Sequence, residues 1–487
     1  MRPPLIPKAA LFALCAISAA DAELVLDDCR ISAGPGFPGI KARCGTFERH
    51  ENPSDESSAR LLLSVAVVPA LSLEPEPDPF VPIAGGPGQS TIEFYSLLSH
   101  AFDRIRRTRN IVLLDQRGTG ASARMECNIG DEVVEGYATP RQILDATQAC
   151  LEALPHDPRY FTTSIAVSDL EALRVALDAP QFNVYGASYG TRVAQHYARR
   201  YPDSVRTVIL DGVVPPQLAL GAVIAMESQK ALDRIFDRCA QSPECDERFP
   251  DLEDDFASLD ELLTAGAVSL DIPDPLTGES TAVNFGDAEL AGAIRLLSYN
   301  PRTVALMPLL IHEAANANYA PLASQFLMAM ERMTDALAIG MHNAVVCTED
   351  APFYGGETID RHELESTYIG AMQIEALETI CSVWPAGMID AEFKTPLATS
   401  TPVLLLSGDA DPVTPPRFAE LAAVDLDNAR LLTGVNEGHG QAATGCMPEV
   451  MGRFVASASI DEETLDADCL ARRSAMPFFL DFSGPSP

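Results

Sequence analysis

The chain has 487 residues, of which 47% are hydrophobic and 21% are charged. This balance is typical of globular proteins and excludes disordered and collagen-like chains. With 34 basic and 69 acidic side chains the formal charge is −35, which argues against nucleic acid and anionic lipid as partners, because both are bound by basic patches. The length fits either about three domains of roughly 150 residues or one large α/β unit with an insertion.

The first residues have the pattern of a signal peptide. Arg2 and Lys8 form a basic start, and the uncharged run that follows is shorter than the roughly 20 residues that span a bilayer. Ala20-Asp21-Ala22 then has the small-x-small pattern of a cleavage site, so we predict a signal peptide over residues 1–22. A short buried helix and a lipid anchor at Cys15 are weaker alternatives. We expect an exported protein, periplasmic or secreted, with no membrane span.

The cysteines support export. Eleven are present, and cleavage after Ala22 would remove Cys15 and leave an even set. An even set in an exported protein is typical of disulfides. A metal site is disfavoured because there is no C-x-x-C pair or His-rich tract, and free thiols are the alternative in a reducing compartment. Neighbours along the chain suggest five disulfides, although sequence does not determine the connectivity: Cys29 with Cys44, Cys127 with Cys150, Cys239 with Cys245, Cys347 with Cys381, and Cys446 with Cys469.

Short apolar runs bounded by turn residues predict a series of strands. Helical patterns, such as those over 167–177 and 191–200, separate most of them. Continuous apolar strands that alternate with helices indicate a mostly parallel sheet with helices on both faces. The predicted strands cover residues 61–68, 80–84, 111–115, 182–185, 205–210, 402–406 and 429–432.

About 190 residues separate the strand that ends at Leu210 from the one that begins at Pro402. A crossover between parallel strands needs only a dozen or two, and this segment is rich in helix formers. We predict a mostly helical cap over the carboxyl ends of the strands, where open sheets bind ligands; an independent domain packed elsewhere is the alternative. The predicted organisation is a signal peptide (1–22), a first α/β part (23–213), the cap (214–400) and a C-terminal α/β part (401–487).

Gly186-Ala-Ser188-Tyr-Gly190 lies between a predicted strand and a predicted helix. This is the G-x-S-x-G pattern in the context it requires, where the serine sits on a tight strand-to-helix turn. A glycine-rich turn with a capping serine is the structural alternative. We predict Ser188 as a nucleophile.

A nucleophilic serine needs a base, and the base needs an orienting acid. In this architecture the order along the chain is serine, acid, histidine. Asp409 and Asp411 follow a late predicted strand, and we favour Asp411, with Asp409 shaping the turn. Among eight histidines, only His439 lies beyond both other members and directly after a strand. We predict Ser188, Asp411 and His439 as a catalytic triad.

An oxyanion formed by attack on a carbonyl needs two backbone N–H donors, one of which follows the nucleophile. Tyr189 is the first candidate. The Gly85-Gly86-Pro87-Gly88 loop follows an earlier strand and allows close approach of the backbone, so Gly86 is the second. A plain glycine turn is the competing interpretation of this loop.

Together these motifs resemble the proline iminopeptidase and tripeptidyl aminopeptidase family of α/β-hydrolases. The resemblance rests on the Gly-Gly-Pro-Gly loop, on Asp115-Gln-Arg-Gly-Thr-Gly-Ala-Ser122, and on the segments around Ser188, Asp411 and His439. The chain departs from the family at Ala84, where the oxyanion loop commonly begins with histidine. The resemblance implies the α/β-hydrolase fold with a helical cap. Two cysteine pairs resemble the tripeptidyl aminopeptidase branch in particular: Cys446 with Cys469, and Cys239 with Cys245.

An aminopeptidase must also hold the charged α-amine of its substrate, and the resemblance implies acids in the cap for this role. Glu349 is the first candidate and Asp350 the second, because both lie beside Cys347, and a disulfide to Cys381 would bring Trp384 to the same place. Solvated surface acids are the alternative. Asp115 and Arg117 are expected to brace the loop near the site.

The sequence therefore predicts an exported serine aminopeptidase that releases one to three residues from peptides with a free N-terminus. We expect a monomer that needs neither a metal nor an organic cofactor. A carboxylesterase for small apolar esters is the alternative with the same chemistry. A binding protein that has lost catalysis is a further alternative, although the three triad residues occur in the required order.

Overall fold

The computed structural model describes residues 24–34, 36–127, 138–355 and 360–485. The predicted signal peptide, with Cys15 and the cleavage site after Ala22, lies outside the described residues.

Most predicted strands are present, with small changes at their ends. The described strands are β1 (Asp27–Ile31), β2 (Ile40–His50), β3 (Arg60–Val68), β4 (Phe80–Ile83), β5 (Ile111–Leu114), β6 (Phe182–Ala187), β7 (Val205–Asp211), β8 (Val268–Pro273), β9 (Ser280–Phe285), β10 (Val403–Gly408), β11 (Ala429–Gly434), β12 (Phe479–Asp481) and β13 (Gly484–Pro485).

Nine of these strands form one sheet in the order β1-β2-β3-β5-β4-β6-β7-β10-β11. All pairings from β5 to β11 are parallel, whereas β1, β2 and β3 are antiparallel to their neighbours. The prediction of a mostly parallel sheet is confirmed. The sequence interpretation missed β1 and β2, in which charged and exposed side chains interrupt the apolar residues.

Helices cover both faces of the sheet and form most of the segment between β7 and β10. The described α-helices are α1 (Thr91–Leu98), α2 (Asp103–Arg106), α3 (Pro140–Ala153), α4 (Thr163–Ala176), α5 (Tyr189–Arg200), α6 (Ile224–Ala240), α7 (Pro243–Arg248), α8 (Leu252–Ala265), α9 (Asp287–Leu297), α10 (Pro301–Val304), α11 (Met307–Ala315), α12 (Ala320–Ala336), α13 (Ile339–Glu349), α14 (Arg361–Glu365), α15 (Met372–Cys381), α16 (Pro416–Ala422), α17 (Met447–Ser457) and α18 (Asp468–Ala471).

The central strands are buried on both faces. In β10, Val403 and Leu405 belong to one apolar cluster, and Leu404 and Leu406 belong to another on the opposite face. Because side chains alternate along a strand, this arrangement requires an uninterrupted apolar run. Packing on both faces holds β10 in place, and the loop that follows β10 therefore has a fixed starting point.

The cap has an apolar core of its own, which includes Leu232 and Ile294. Within the cap, β8 and β9 form a two-stranded antiparallel sheet. The end of the predicted C-terminal α/β part differs from the expectation. Phe478 joins the core of the cap, and the Phe479 N–H donates to the Ala305 carbonyl over 2.9 Å. The last strands therefore return to the cap, because Phe478 finds an apolar environment there.

Five disulfides are present in the described residues, and they are the five neighbouring pairs that the sequence suggested. Their Cα–Cα separations, 4.9–6.1 Å, are in the range that a disulfide bridges. The connectivity that the sequence left open is therefore Cys29 with Cys44, Cys127 with Cys150, Cys239 with Cys245, Cys347 with Cys381, and Cys446 with Cys469.

These disulfides serve different parts of the fold. Cys29 and Cys44 join the paired edge strands β1 and β2, whereas Cys127 and Cys150 tie the end of a loop to α3. The other three lie at helices: Cys239 and Cys245 join α6 to α7, Cys347 and Cys381 join α13 to α15, and Cys446 and Cys469 join the start of α17 to α18.

Membrane-spanning helices were also sought. Among the described residues, no helix combines the length and the apolar character that a membrane crossing requires.

Candidate active site

The predicted site residues lie at one edge of the sheet. Strands β4, β6, β7, β10 and β11 run parallel, so their carboxyl ends meet at this edge. The loops that follow four of them contain Gly86, Ser188, Asp411 and His439. Such strand ends are where open α/β sheets bind their ligands.

Ser188 occupies a strained turn between β6 and α5. Its φ of 53° and ψ of −122° fall outside the regions that ordinary residues adopt. The glycines on either side permit the turn. A Cβ on Gly190 would lie 2.4 Å from the Ile83 carbonyl oxygen, and a Cβ on Gly186 would lie 2.2 Å from the Gly190 carbonyl oxygen. The G-x-S-x-G spacing thus lets strand, turn and helix pack without a clash.

Asp411, and not Asp409, contacts His439. Asp411 Oδ2 lies 2.8 Å from His439 Nδ1, and Thr414 Oγ1 donates to the same oxygen over 2.7 Å. The backbone N–H groups of Val413 and Thr414 both donate to Asp411 Oδ1. The Asp409 carboxylate instead accepts from the Asn436 backbone N–H over 2.7 Å.

Asp411 and His439 are arranged so that the imidazole of His439 holds a proton. Burial opposes protonation of His439, but the charge and hydrogen bond of Asp411 outweigh it and raise the pKa of His439. Burial also opposes ionisation of Asp411, but His439 and the backbone donors outweigh it and lower the pKa of this carboxyl group. The Asp411 side chain is fully buried, whereas 16% of the His439 side chain is exposed.

Asp211, at the end of β7, connects the Ser188 turn with the His439 loop. The Ser188 N–H donates to the Asp211 carbonyl over 2.8 Å, and the Asp211 carboxylate accepts from the N–H of Gln441. A Cβ on the next residue, Gly212, would lie 3.0 Å from His439 Cε1. The sequence interpretation missed Asp211, although an acid ending a buried strand before a glycine was a usable signal.

The loop over Gly85-Gly86-Pro87-Gly88 lies against the nucleophile turn. A Cβ on Gly85 would lie 3.0 Å from the Cβ of Ser188, and Gly86 has a φ of 104°. Asp115 anchors the helix that follows this loop, because its carboxylate accepts from the Ser90 hydroxyl and the Ile92 N–H. The bracing role expected for Asp115 agrees with these contacts.

Arg117 braces a region farther from the loop. It is fully buried and forms a two-point ion pair with Asp169. Its guanidinium also donates to the backbone carbonyls of Glu51 and Tyr160.

The cap contributes residues that the sequence interpretation did not place at the site. The Ala338 N–H donates to the Gly88 carbonyl over 3.0 Å, so α13 begins against the glycine loop. Tyr299, just after α9, packs edge-on against the His439 ring at 5.2 Å between centroids, and its carbonyl accepts from the His439 N–H. Arg295 contacts Tyr299 from one turn earlier.

The acids proposed to bind a substrate amine lie in a different environment from the one expected. Glu349 and Asp350 are fully buried, and both contact groups of the protein. Asp350 forms a two-point ion pair with Arg192 of α5 at 2.9 and 3.0 Å and accepts from the Leu220 N–H. Glu349 accepts from the Thr163 N–H at 2.7 Å and the Thr163 hydroxyl at 2.9 Å. Neither carboxylate is available to a substrate ammonium in this structure.

These acids instead support the helix that follows Ser188. Thr163, which binds Glu349, also forms a 2.6 Å hydrogen bond with the Tyr189 hydroxyl. Arg192, which binds Asp350, is on the same helix. The sequence signal that was missed is the apolar character of α13, most of whose residues are buried. Acids at the end of such a helix are buried as well.

Four other histidines have partners or positions of their own. His196 is buried and contacts Asp390, and His312 contacts Asp255, while His362 is exposed. His342 lies by the glycine loop, where its ring bonds the Pro87 carbonyl. In the part of the chain that the structure describes, no group of three His, Cys, Asp or Glu side chains could hold a metal ion.

Comparison with known proteins gives two family matches. Residues 78–255 match the family described as alpha/beta hydrolase fold, and residues 366–469 match the family described as TAP-like protein. The fold and these matches define the chain as an α/β-hydrolase, and its relatives identify it as a serine hydrolase. Parts of the chain are similar to tripeptidyl aminopeptidases and to proline iminopeptidases.

Three relatives illustrate the similarity. YuaR of Escherichia coli (strain K12), provisionally named a hydrolase, is 25% identical over 82% of both chains. The tripeptidyl aminopeptidase of Streptomyces lividans is 28% identical over 27% of this chain and 28% of that protein. The proline iminopeptidase of Arabidopsis thaliana is 31% identical over 29% of this chain and 28% of that protein. The chain therefore aligns with less than a third of either named peptidase.

Proposed function

We propose that this protein is an exported serine aminopeptidase that cleaves short peptides near a free N-terminus. The observation that supports it most directly is the 2.8 Å contact between Asp411 and His439. This contact lies at the sheet edge that also holds the strained Ser188 turn. The peptidases among the relatives favour peptides as substrates over other acyl compounds.

In the proposed mechanism, Ser188 Oγ attacks the carbonyl carbon of the scissile bond. His439 accepts the serine proton and returns it to the leaving amine, while Asp411 fixes the imidazole orientation. The backbone N–H groups of Tyr189 and Gly86 stabilise the oxyanion. Water then attacks the acyl-enzyme with His439 as the base, and the released acid regenerates Ser188.

Two independent features support export. The N-terminal sequence has the pattern of a signal peptide, and five disulfides are present in the described residues. Disulfides form and persist mainly in oxidising compartments. Secretion followed by N-terminal sequencing of the mature protein would test cleavage after Ala22.

The test of the proposed activity is a panel of peptide amides one, two and three residues long, each with a free and an acetylated N-terminus. A strong preference for the free amine is expected, because only an aminopeptidase requires it. Equal turnover of acetylated peptides, with faster turnover of small esters, would favour a carboxylesterase instead. The preferred length would give the number of residues released per cut.

Ser188→Ala tests the nucleophile. Removal of the attacking oxygen should lower kcat by on the order of 10⁶-fold and abolish labelling by a fluorophosphonate. Ser168→Ala is the matched control, because among the described residues the Ser168 hydroxyl bonds only the carbonyl of Ile165 in its own helix. Labelling that persists in Ser188→Ala would contradict the assignment.

A further inference from the structure

Arg295 is a cation near the triad for which the described residues supply no carboxylate partner. It lies in α9, and its Nη2 contacts the Tyr299 hydroxyl at 3.3 Å. Its Nε is buried without a hydrogen-bond partner. Within the described ranges, no Asp or Glu side chain forms an ion pair with this guanidinium.

The charge of Arg295 acts on two histidines of this region. Burial is the main influence that lowers the pKa of His342, by the glycine loop, and the charge of Arg295 acts in the same direction. Burial, too, opposes protonation of His439, with a smaller contribution from Arg295, although Asp411 outweighs both and keeps the pKa of His439 raised. The charge of Arg295 therefore acts on a histidine of the triad and on a histidine beside the glycine loop.

An incompletely paired guanidinium in a partly buried site has an energetic cost unless an anion approaches it. Guanidinium groups bind carboxylates strongly, because two parallel N–H donors match the two oxygens. The described residues supply no carboxylate for Arg295. A carboxylate of the bound substrate is a source of such an anion.

The position of Arg295 indicates that it contacts the leaving group of the substrate. His439 returns its proton to the leaving amine, so the leaving group lies on the His439 side of the scissile bond. Tyr299 packs on the His439 ring at 5.2 Å between centroids, and the Arg295 guanidinium lies 6.0 Å from the centre of the Tyr299 ring. One aromatic ring thus separates guanidinium and imidazole. Because an extended residue spans about 3.3–3.6 Å, a leaving group of one or two residues covers a comparable distance.

We propose that Arg295 binds the C-terminal carboxylate of the leaving group, so that the enzyme prefers short peptides that end one or two residues beyond the scissile bond. This proposal rests on the proposed peptidase activity and specifies its substrate class. It adds no covalent step. The leaving group departs as a free amino acid or dipeptide that keeps the same carboxylate.

The first test compares peptides with a free C-terminus and the same peptides as C-terminal amides. In the wild-type enzyme, kcat/KM should be about 10- to 100-fold higher for the free acid, the range expected of a charged hydrogen-bonded pair. Arg295→Gln should remove this preference, so that kcat/KM for the acid and for the amide agree within about two-fold. Arg302→Gln is the matched control, because Arg302 is an exposed arginine of the same cap.

A third set of substrates identifies the source of the carboxylate. It consists of C-terminal amides that carry aspartate immediately after the scissile bond. If these amides are cleaved fast and the fast cleavage requires Arg295, the ligand is a substrate side chain and the assignment to the C-terminal carboxylate is wrong. Equal kcat/KM for acids and amides in the wild-type enzyme would also overturn the proposal.

Two further measurements distinguish a failure of the Arg295 proposal from misfolding and from a failure of the proposed peptidase activity. Arg295→Lys keeps the charge and should recover part of the preference, whereas misfolding in Arg295→Gln would lower turnover of acids and amides alike. Protection of Ser188 from a fluorophosphonate does not require cleavage. A peptide acid should protect the wild type at lower concentration than its amide, and Arg295→Gln should remove the difference. Protection without cleavage would count against the peptidase activity and in favour of the Arg295 site.

Discussion

Asp411 and Asp350 are both fully buried carboxylates held within hydrogen-bond distance of a basic side chain, but their partners differ. Asp411 contacts the imidazole of His439, which keeps 16% of its side chain exposed. Asp350 contacts the guanidinium of Arg192, of which 1% is exposed. The two acids therefore share burial and hydrogen bonding and differ in what their partner can do.

The difference decides which acid can take part in chemistry. An imidazole gains and loses a proton near neutral pH, and the exposed part of His439 can meet a substrate. A guanidinium keeps its proton at any pH that a protein tolerates, and Arg192 has no contact with solvent through which a substrate could approach. Burial of an acid is thus no sign of catalysis by itself. The ability of its partner to titrate is the informative property.

Among the changes that test this comparison of the two acids, Asp411→Asn has the largest expected effect. The change keeps the shape of the side chain but removes the charge that holds a proton on His439 Nδ1. We expect kcat to fall by about 10⁴-fold, and the pKa of His439 to decrease because its main supporting charge is lost. Steady-state kinetics as a function of pH measures both.

Asp409→Asn is the matched control for that experiment. Asp409 is two residues away and accepts a backbone N–H from Asn436, an interaction that an asparagine oxygen can retain. Its kcat should stay within a few-fold of the wild-type value. Comparable losses in both variants would show that the whole turn, and not the contact with His439, supports catalysis.

The second effect concerns stability. Asp350→Asn leaves the buried Arg192 without its two-point partner, which should lower the free energy of unfolding by about 3 kcal/mol. Glu349 limits the loss, because its carboxylate remains 3.8 Å from the guanidinium. Denaturant midpoints measure the change. A selective loss of activity toward free-amine peptides, with stability unchanged, would instead restore Asp350 as the group that binds the substrate amine.

The sequence predicted the sheet and the triad loops because their signals are local. A continuous apolar run defines β10, and the glycines around Ser188 are required by contacts within a few residues of the turn. The order of Ser188, Asp411 and His439 follows from the architecture once the strands are identified. Disulfide pairing was suggested by proximity along the chain, which suits loops that close over short segments.

The cap could not be predicted in the same way, because its contacts with the triad join distant residues. Nothing near Asp350 in the sequence indicates that Arg192 will neutralise it, and nothing near Arg295 indicates His439. β1 and β2 were missed for a different reason. β1 is the edge strand of the sheet and β2 is next to it, and charged, exposed side chains in both interrupt the apolar pattern of a strand.

The smallest expected effect is a pH dependence of stability that comes from Glu349 and distinguishes it from Asp350. Burial raises the pKa of Glu349 from 4.5 to about 7, against the opposing influence of Arg192 and Thr163. In this range the unfolded chain has lost the proton that the folded protein still holds, so Glu349 lowers stability as the pH rises from about 4.5 through 7. Glu349→Gln cannot ionise. The variant should gain stability relative to wild type between pH 5 and pH 8, by on the order of 2 kcal/mol.

Thermal unfolding at pH 5 and pH 8 measures this gain as a difference between two proteins, so the titration of groups common to both cancels. Glu253→Gln, an exposed change on α8 with the same loss of charge, should follow the wild-type pH dependence. Parallel curves for wild type and Glu349→Gln would mean that Glu349 is ionised throughout and that Arg192 carries two carboxylate partners. In that case Glu349 would still neutralise Arg192 after Asp350→Asn, and this substitution should lower the free energy of unfolding by less than about 3 kcal/mol.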